Sequence, residues 1–397
     1  MRRPVDARNF SGNVVVEIYN STAGVDKDVE FIQSSPFLLR NGDIWIGISN
    51  STSGIAALAT YDLGNGTSRY STVNFTDNGL AWDAISQLGA LLKSNRGAGF
   101  LQDFNIRRIY AMGESGSAQA LVLYINEIHP LTRLVSGGPI YDGFVVSERF
   151  GSGEAFNSSN TPSQAEAAAF PTCDPHLVLS SEVPIMNLQT QNEIITDSEY
   201  CVRRADTNMP GNQFRLWEMA GAPHLTALVS KHDNAERDLE TSSFAFATYE
   251  CAHSFSQNDF PKQDFLQSAL ADLYDWVDHG VASPTAARIA LTSTTPPEFV
   301  LDAYGNVTGG LRSPFVDVPI YTFFPADTTV ASSGPLGSLY CTLFGYKLPL
   351  SEAQLTALYD SHEQDVAEEA EQMRQERFLL DHSARAITRQ AENADVP

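Results

Sequence analysis

Short β-rich runs alternate with stretches of helical spacing through the first two-thirds of this 397-residue chain. Residues 13–20 (NVVVEIYN) and 43–49 (DIWIGIS) gather branched and aromatic side chains into runs too short for a helix, which predicts strands. Residues 81–93 (AWDAISQLGALLK) repeat apolar positions three and four apart and stop ahead of Asn95-Arg96-Gly97, which predicts a helix. Residues 107–112 (RRIYAM) read as a strand running into Gly113-Glu114-Ser115-Gly116-Ser117, with a helix behind it over 118–128. Further strands are predicted at 140–146, 183–190 (VPIMNLQT) and 213–220 (QFRLWEMA). This alternation implies an α/β fold, a mostly parallel, doubly wound sheet with helices on both faces.

Two regions break the rhythm. Residues 149–182 are rich in Ser, Gly, Ala and Pro and hold two predicted strands further apart than a tight connection needs, so they read as a lid-like insertion. After about residue 255 the pattern turns to helices and loops. An amphipathic helix is predicted over 265–278, stopped at Gly280, followed by a glycine-rich turn region over 302–312. Residues 351–389 read as one or two acidic amphipathic helices. The expected organisation is a core over 1–254, including the insertion, and a helix- and loop-rich C-terminal part over 255–397.

Composition narrows the function classes. Lys plus Arg number 25 and Asp plus Glu 48, a formal net charge of −23. So acidic a surface repels phosphate backbones and anionic headgroups, which argues against nucleic-acid or membrane partners. Hydrophobic residues at 43%, against 18% charged, supply a large core. No apolar run approaches the roughly 20 residues that span a bilayer.

Cys173, Cys201, Cys251 and Cys341 form no CxxC pair, so a zinc or thioredoxin-type site is not expected. Their spacing leaves all three pairings open. Asn9, Asn20, Asn50, Asn65, Asn74, Asn157 and Asn306 each open an Asn-x-Ser/Thr triplet, more than the roughly three that chance supplies. The excess points to a secreted protein with disulfides. No signal peptide precedes Met1-Arg2-Arg3-Pro4, so either the chain is a mature or trimmed form or the triplets are idle; the secreted reading is the one carried forward.

The chemistry centres on the strand–turn–helix at Ser115. A serine at the top of a strand, in a turn too tight for bulky neighbours, is a nucleophile elbow. Gly113 and Ser117 stand two residues to either side, a relaxed form of G-x-S-x-G. Such a serine needs a base, and the base an orienting carboxylate, in the chain order Ser, acid, His. The strand at 183–190 runs into Gln191-Asn192-Glu193, and the strand at 213–220 into Gly221-Ala222-Pro223-His224. Glu193 and His224 therefore follow strand ends, where open α/β sheets build their sites. Asp197 and Asp206 remain alternative acids further from the strand end. The other histidines either do not follow a strand or fall in the C-terminal part.

The chain resembles the α/β-hydrolase superfamily, and within it the family of alpha/beta hydrolase domain-containing proteins. The resemblance rests on residues 2–20, the elbow at 113–117, 183–193, 214–224 (FRLWEMAGAPH), 302–312 and 344–359 (FGYKLPLSEAQLTALY). It implies an α/β-hydrolase fold, with Ser115 as nucleophile, His224 as base and Glu193 as acid. Family members usually carry sequence ahead of the segment matching Arg2-Arg3-Pro4, so the resemblance implies either a sheet short by one or two edge strands or a truncated start. For the oxyanion, the backbone N–H of Gly116 is one expected donor. Ser21 or Thr22, in the loop after the first strand, is expected to supply the other. The expected reaction is hydrolysis of a neutral or hydrophobic small-molecule ester or lactone, with no metal or organic cofactor. Acyl transfer, another triad-based tailoring reaction, and non-catalytic ligand binding are the competing readings. Oligomeric state is not legible.

Overall fold

The computed structural model describes residues 1–397 except 22–25, 61–67, 69, 75, 95–98, 100, 150–180, 197–198, 230, 232–247, 334–336, 395 and 397. Most of the insertion at 149–182 thus lies outside the described residues. The predicted strands appear as β1 (Asn13–Ile18), β2 (Ile44–Ile48), β3 (Arg108–Glu114), β4 (Gly143–Ser147), β5 (Ile185–Thr190) and β7 (Asn212–Ala220). A short β6 (Thr207–Met209) joins them in the order β2-β1-β3-β4-β5-β7-β6, and Leu311–Arg312 pairs beside β7 to make eight strands. Neighbouring strands are mostly parallel; β6 runs antiparallel to β7. This is the α/β-hydrolase architecture.

The chain divides into two compact units. Unit 1 comprises Met1–Asn187, Asp197–Arg215 and Trp276–Gly280; unit 2 comprises Leu188–Thr196, Leu216–Asp275 and Val281–Pro397. In unit 1, β1 is buried along its whole length, as a central parallel strand must be when helices cover both faces. Its register sets Val14 between Ile44 and Ile109, and Val16 between Ile46 and Ala111. Glu17 interrupts this apolar run at 1% exposure. Its carboxyl accepts from Trp45 Nε1 and from the backbone N–H groups of Glu30 and Phe31. Those two amides open helix α1 (Val29–Asn41), where a helix supplies no partner of its own. Burial, with Glu30 and Asp28 nearby, pushes the Glu17 carboxyl well above the usual carboxylate range. On the outer side of β2, Arg2 exchanges backbone hydrogen bonds of 2.8 and 2.9 Å with Trp45.

Helix α1 was not predicted. Pro36 lies inside it, and its buried face carries Glu30, Gln33 and Ser34, so the apolar period is absent. Helix α2 (Thr52–Thr60) follows β2, and α3 (Leu80–Lys93) matches the sequence reading. Lys93 Nζ reaches Asp142 Oδ2 at 2.5 Å, and that carboxylate also accepts from the Ile109 amide, linking α3 to β3. Helix α4 (Gly116–Leu123) starts at the elbow and continues as a π turn, Tyr124–Ile128.

Unit 2 contains α5 (Gln191–Thr196) and α6 (Lys262–His279) up to Asp275, the latter extending the predicted helix by a few residues at its start. The region past 255 is more than helices and loops. Tyr321–Phe324 pairs antiparallel with Tyr346–Pro349, and Thr329–Ser333 with Thr248–Cys251. The acidic tail forms three helices, Glu352–Leu358, His362–Gln375 and Asp381–Glu392, rather than one or two. A disulfide joins Cys251 to Cys341 with Cα atoms 5.5 Å apart, closing a separation of 90 residues. Cys201 is disulfide-bonded as well. Asn306, in the glycine-rich turn, is 1% exposed; its Nδ2 donates to Tyr321 O and its Oδ1 accepts from Phe323 N.

Candidate active site

The elbow behaves as its sequence requires. Ser115 has φ 57° and ψ −123°, a left-handed backbone that a non-glycine residue adopts only when its surroundings force it. Its N–H donates to the carbonyl of Ser147 at the end of β4, 3.0 Å away, and its carbonyl accepts from Ala118 and Gln119. The side chain is 3% exposed. Gly113 is needed because a Cβ there would lie 2.8 Å from the Ser117 carbonyl oxygen. Ser117, where glycine is the commoner residue, adds two bonds of its own. Its Oγ accepts from Glu114 N at 3.0 Å and donates to Glu114 O at 2.8 Å, closing the turn. Gly116 opens α4, so its N–H points out of the helix start without an intrahelical partner.

Two further features of unit 1 frame Ser115. Glu114, 1% exposed, accepts from Asn20 Nδ2 at 2.7 Å. Asn20 in turn exchanges backbone bonds with Lys27, closing the loop after β1. Ser21, an expected oxyanion donor, spends its hydroxyl on Asp26 Oδ1 at 2.6 Å, which leaves its backbone as the relevant group. Thr22 lies outside the described residues. Past β4, Glu148 is buried with φ 53°, and Arg149 and Glu199 form a buried pair at 3.2 Å. No local pattern in the sequence announced these residues.

Unit 2 brings Glu193 and His224 together. His224 Nδ1 lies 2.6 Å from Glu193 Oε1, with the side chains 2% and 0% exposed. An ionised carboxylate only accepts, so the Nδ1–H donates and leaves Nε2 as the basic nitrogen. Glu193 Oε2 is fixed in turn by Thr190, whose N–H and Oγ1 donate at 2.8 and 2.6 Å. Asn192 anchors the same helix, its Nδ2 donating to the carbonyls of Pro325 and Thr342. The arrangement is a buried histidine oriented by a carboxylate that is itself fixed by hydrogen bonds. Of the two alternative acids, Asp197 lies outside the described residues, and the carboxylate at His224 Nδ1 is that of Glu193 rather than Asp206.

A second histidine–carboxylate pair escaped the sequence reading. His253 Nδ1 sits 2.9 Å from Asp327 Oδ1, and the ring stacks on Tyr346 at 3.9 Å. Tyr346 stacks in turn on Phe324, so this pair belongs to an aromatic stack in the 321–349 strands. The strand Tyr321–Phe324 places Phe323 in the core. His129, in unit 1, packs edge-on against Phe144, and burial lowers its pKa to about 4.

The profile of a family described as an alpha/beta hydrolase domain matches residues 1–389. The chain belongs to that family. No curated protein matches it. Among solved structures, Est1E from Butyrivibrio proteoclasticus is similar to this α/β hydrolase at a TM-score of 0.25 and 11% sequence identity, over 58% of this chain and 87% of that one.

Proposed function

We propose that the protein is a serine hydrolase that cleaves a carboxylic ester or lactone of a neutral or hydrophobic small molecule. Ser115 is the nucleophile, His224 the general base and Glu193 the acid that orients it. The observation that carries this reading is the buried 2.6 Å contact between His224 and Glu193 in a chain where, among the described residues, the one serine at positive φ is Ser115 at the elbow.

Ser115 Oγ attacks the carbonyl carbon while its proton passes to His224 Nε2. Glu193 holds the imidazole in the needed tautomer and stabilises the imidazolium. The Gly116 N–H and a backbone N–H of Ser21 or Thr22 receive the oxyanion; losing one such donor typically costs about 3 kcal/mol of transition-state stabilisation. The protonated His224 gives its proton to the departing alkoxide, leaving an acyl-serine. Water, deprotonated by His224, then attacks the acyl carbon, releasing the acid and restoring Ser115. No cofactor enters the scheme.

A neutral substrate fits the surroundings. The net charge is −23, and Glu114 and Glu148 are buried beside the elbow and just past β4, so an anionic acyl group would be repelled. The same acidity disfavours nucleic acid and anionic membranes as partners. Secretion is supported by the disulfides and by the exposed triplet residues Asn9 and Asn74.

The test is a fluorophosphonate probe read by intact mass. One adduct on the wild type and none on Ser115→Ala or His224→Ala is expected, followed by turnover on an ester and lactone panel with free acid released. A folded wild type that takes no adduct would overturn the reading.

A further inference from the structure

The turn that carries His224 is secured by buried polar side chains contributed from elsewhere in unit 2. Gly221, at φ 96°, lets the chain leave β7 sharply. Its N–H donates to Gln191 Oε1 at 2.8 Å, and its carbonyl accepts from Asn258 Nδ2 at 2.9 Å. Asn258 also donates to Phe324 O and accepts from Phe260 N. The carbonyl of His224 itself accepts from Lys262 Nζ at 2.5 Å. Gln191, Asn258 and Lys262 are 4%, 1% and 1% exposed.

Lys262 is the unexpected member. Lysine is almost never fully buried, because taking an ammonium out of water is costly, and an apolar side chain of similar volume avoids that cost. Lys262 also opens α6, where the helix dipole favours negative groups and opposes a cation. What the ammonium supplies is a charge-assisted hydrogen bond to the backbone of the base.

The geometry points to Lys262 as a positioning residue for His224: it pins the backbone carbonyl of the residue whose ring Glu193 pins at Nδ1. With both ends held, Nε2 has one direction in which to accept a proton. Displacement of a catalytic group by about 1 Å costs on the order of 100-fold in rate. This inference deepens the triad reading and rests on it.

The test compares wild type with Lys262→Met, which keeps the stem and loses the donor, and Lys262→Gln, which keeps a neutral donor. Three readouts are followed: kcat and KM on the best ester, the rate of fluorophosphonate labelling, and the far-downfield proton resonance of the His224–Glu193 hydrogen bond. The expected order is wild type, Gln, Met, with kcat and labelling falling roughly 10- to 100-fold in the methionine variant. KM stays within about twofold, and the downfield resonance shifts or broadens. A folded Lys262→Met with unchanged labelling, kcat and resonance overturns the inference. So does failure of both variants to fold, which makes Lys262 a residue of the core. If wild type takes no label, the triad reading has failed, and the resonance still decides whether Lys262 holds the histidine.

Discussion

Ser115 and His224 each sit just beyond the end of a strand, and the chain secures them by opposite means. The elbow relies on backbone. A strained φ at Ser115, a glycine at 113 where no Cβ fits, and the helix start at Gly116 all lie within four residues. The histidine turn relies on side chains drawn from far along the sequence, with Gln191, Asn258 and Lys262 each bonding one of its main-chain groups. A local backbone device is damaged by added bulk, and a device built from distant side chains by lost hydrogen bonds. The two halves should therefore fail under different substitutions.

The largest effect is expected where charge orients the base. Glu193→Gln keeps the shape but removes the carboxylate that selects the His224 tautomer, so kcat should fall about 10³- to 10⁴-fold with the fold intact. Ester hydrolysis and a thermal melt measured together check both halves of that statement. Asn258→Ala removes two donated bonds and one accepted bond around the turn. A destabilisation of about 2–4 kcal/mol is expected in urea unfolding, with slower probe labelling.

Acid should strike the elbow side. Burial lowers the His129 pKa to about 4, so the unfolded chain takes up a proton near pH 6.5 that the folded chain refuses until about pH 4. The stability this buried neutral ring contributes is present above pH 6.5 and is lost as pH falls towards 4, by at most about 3 kcal/mol. Urea midpoints at pH 7 and pH 5 should show the loss, and His129→Gln should flatten it.

Bulk at the elbow comes next. Gly113→Ala puts a Cβ against the Ser117 carbonyl and should cost about 1–3 kcal/mol while slowing the labelling of Ser115. Smallest is Ser117→Gly, which restores the commoner elbow glycine and gives up the two Oγ bonds to Glu114. About 1 kcal/mol of stability and little change in labelling are expected. Equal sensitivity of both halves to bulk would erase the distinction drawn between them.

The same division decided what could be read in advance. The elbow is contiguous, so the sequence displayed it whole, and the strand ends pointed to Glu193 and His224, which the structure brings to 2.6 Å. Helix α1 stayed hidden because its inward face is polar and Pro36 interrupts it. The strands at Tyr321–Phe324 and Tyr346–Pro349 pair across a separation no local pattern marks. Lys262 falls ahead of the helix predicted over 265–278, and its contact appears only when the chain brings it to a carbonyl 38 residues earlier.

Asn306 carries a consequence for any cell that attaches sugars to Asn-x-Ser/Thr triplets. Both ends of its amide are bonded to the 321–324 strand inside the core. At 1% exposure the amide has no room for a glycan on Nδ2 once it has packed against that strand. Folding and modification therefore compete for one nitrogen atom. A chain that closes its 302–312 turn first is protected, and one modified first is diverted from the native state. In such a host, the yield of working protein is set partly by a race.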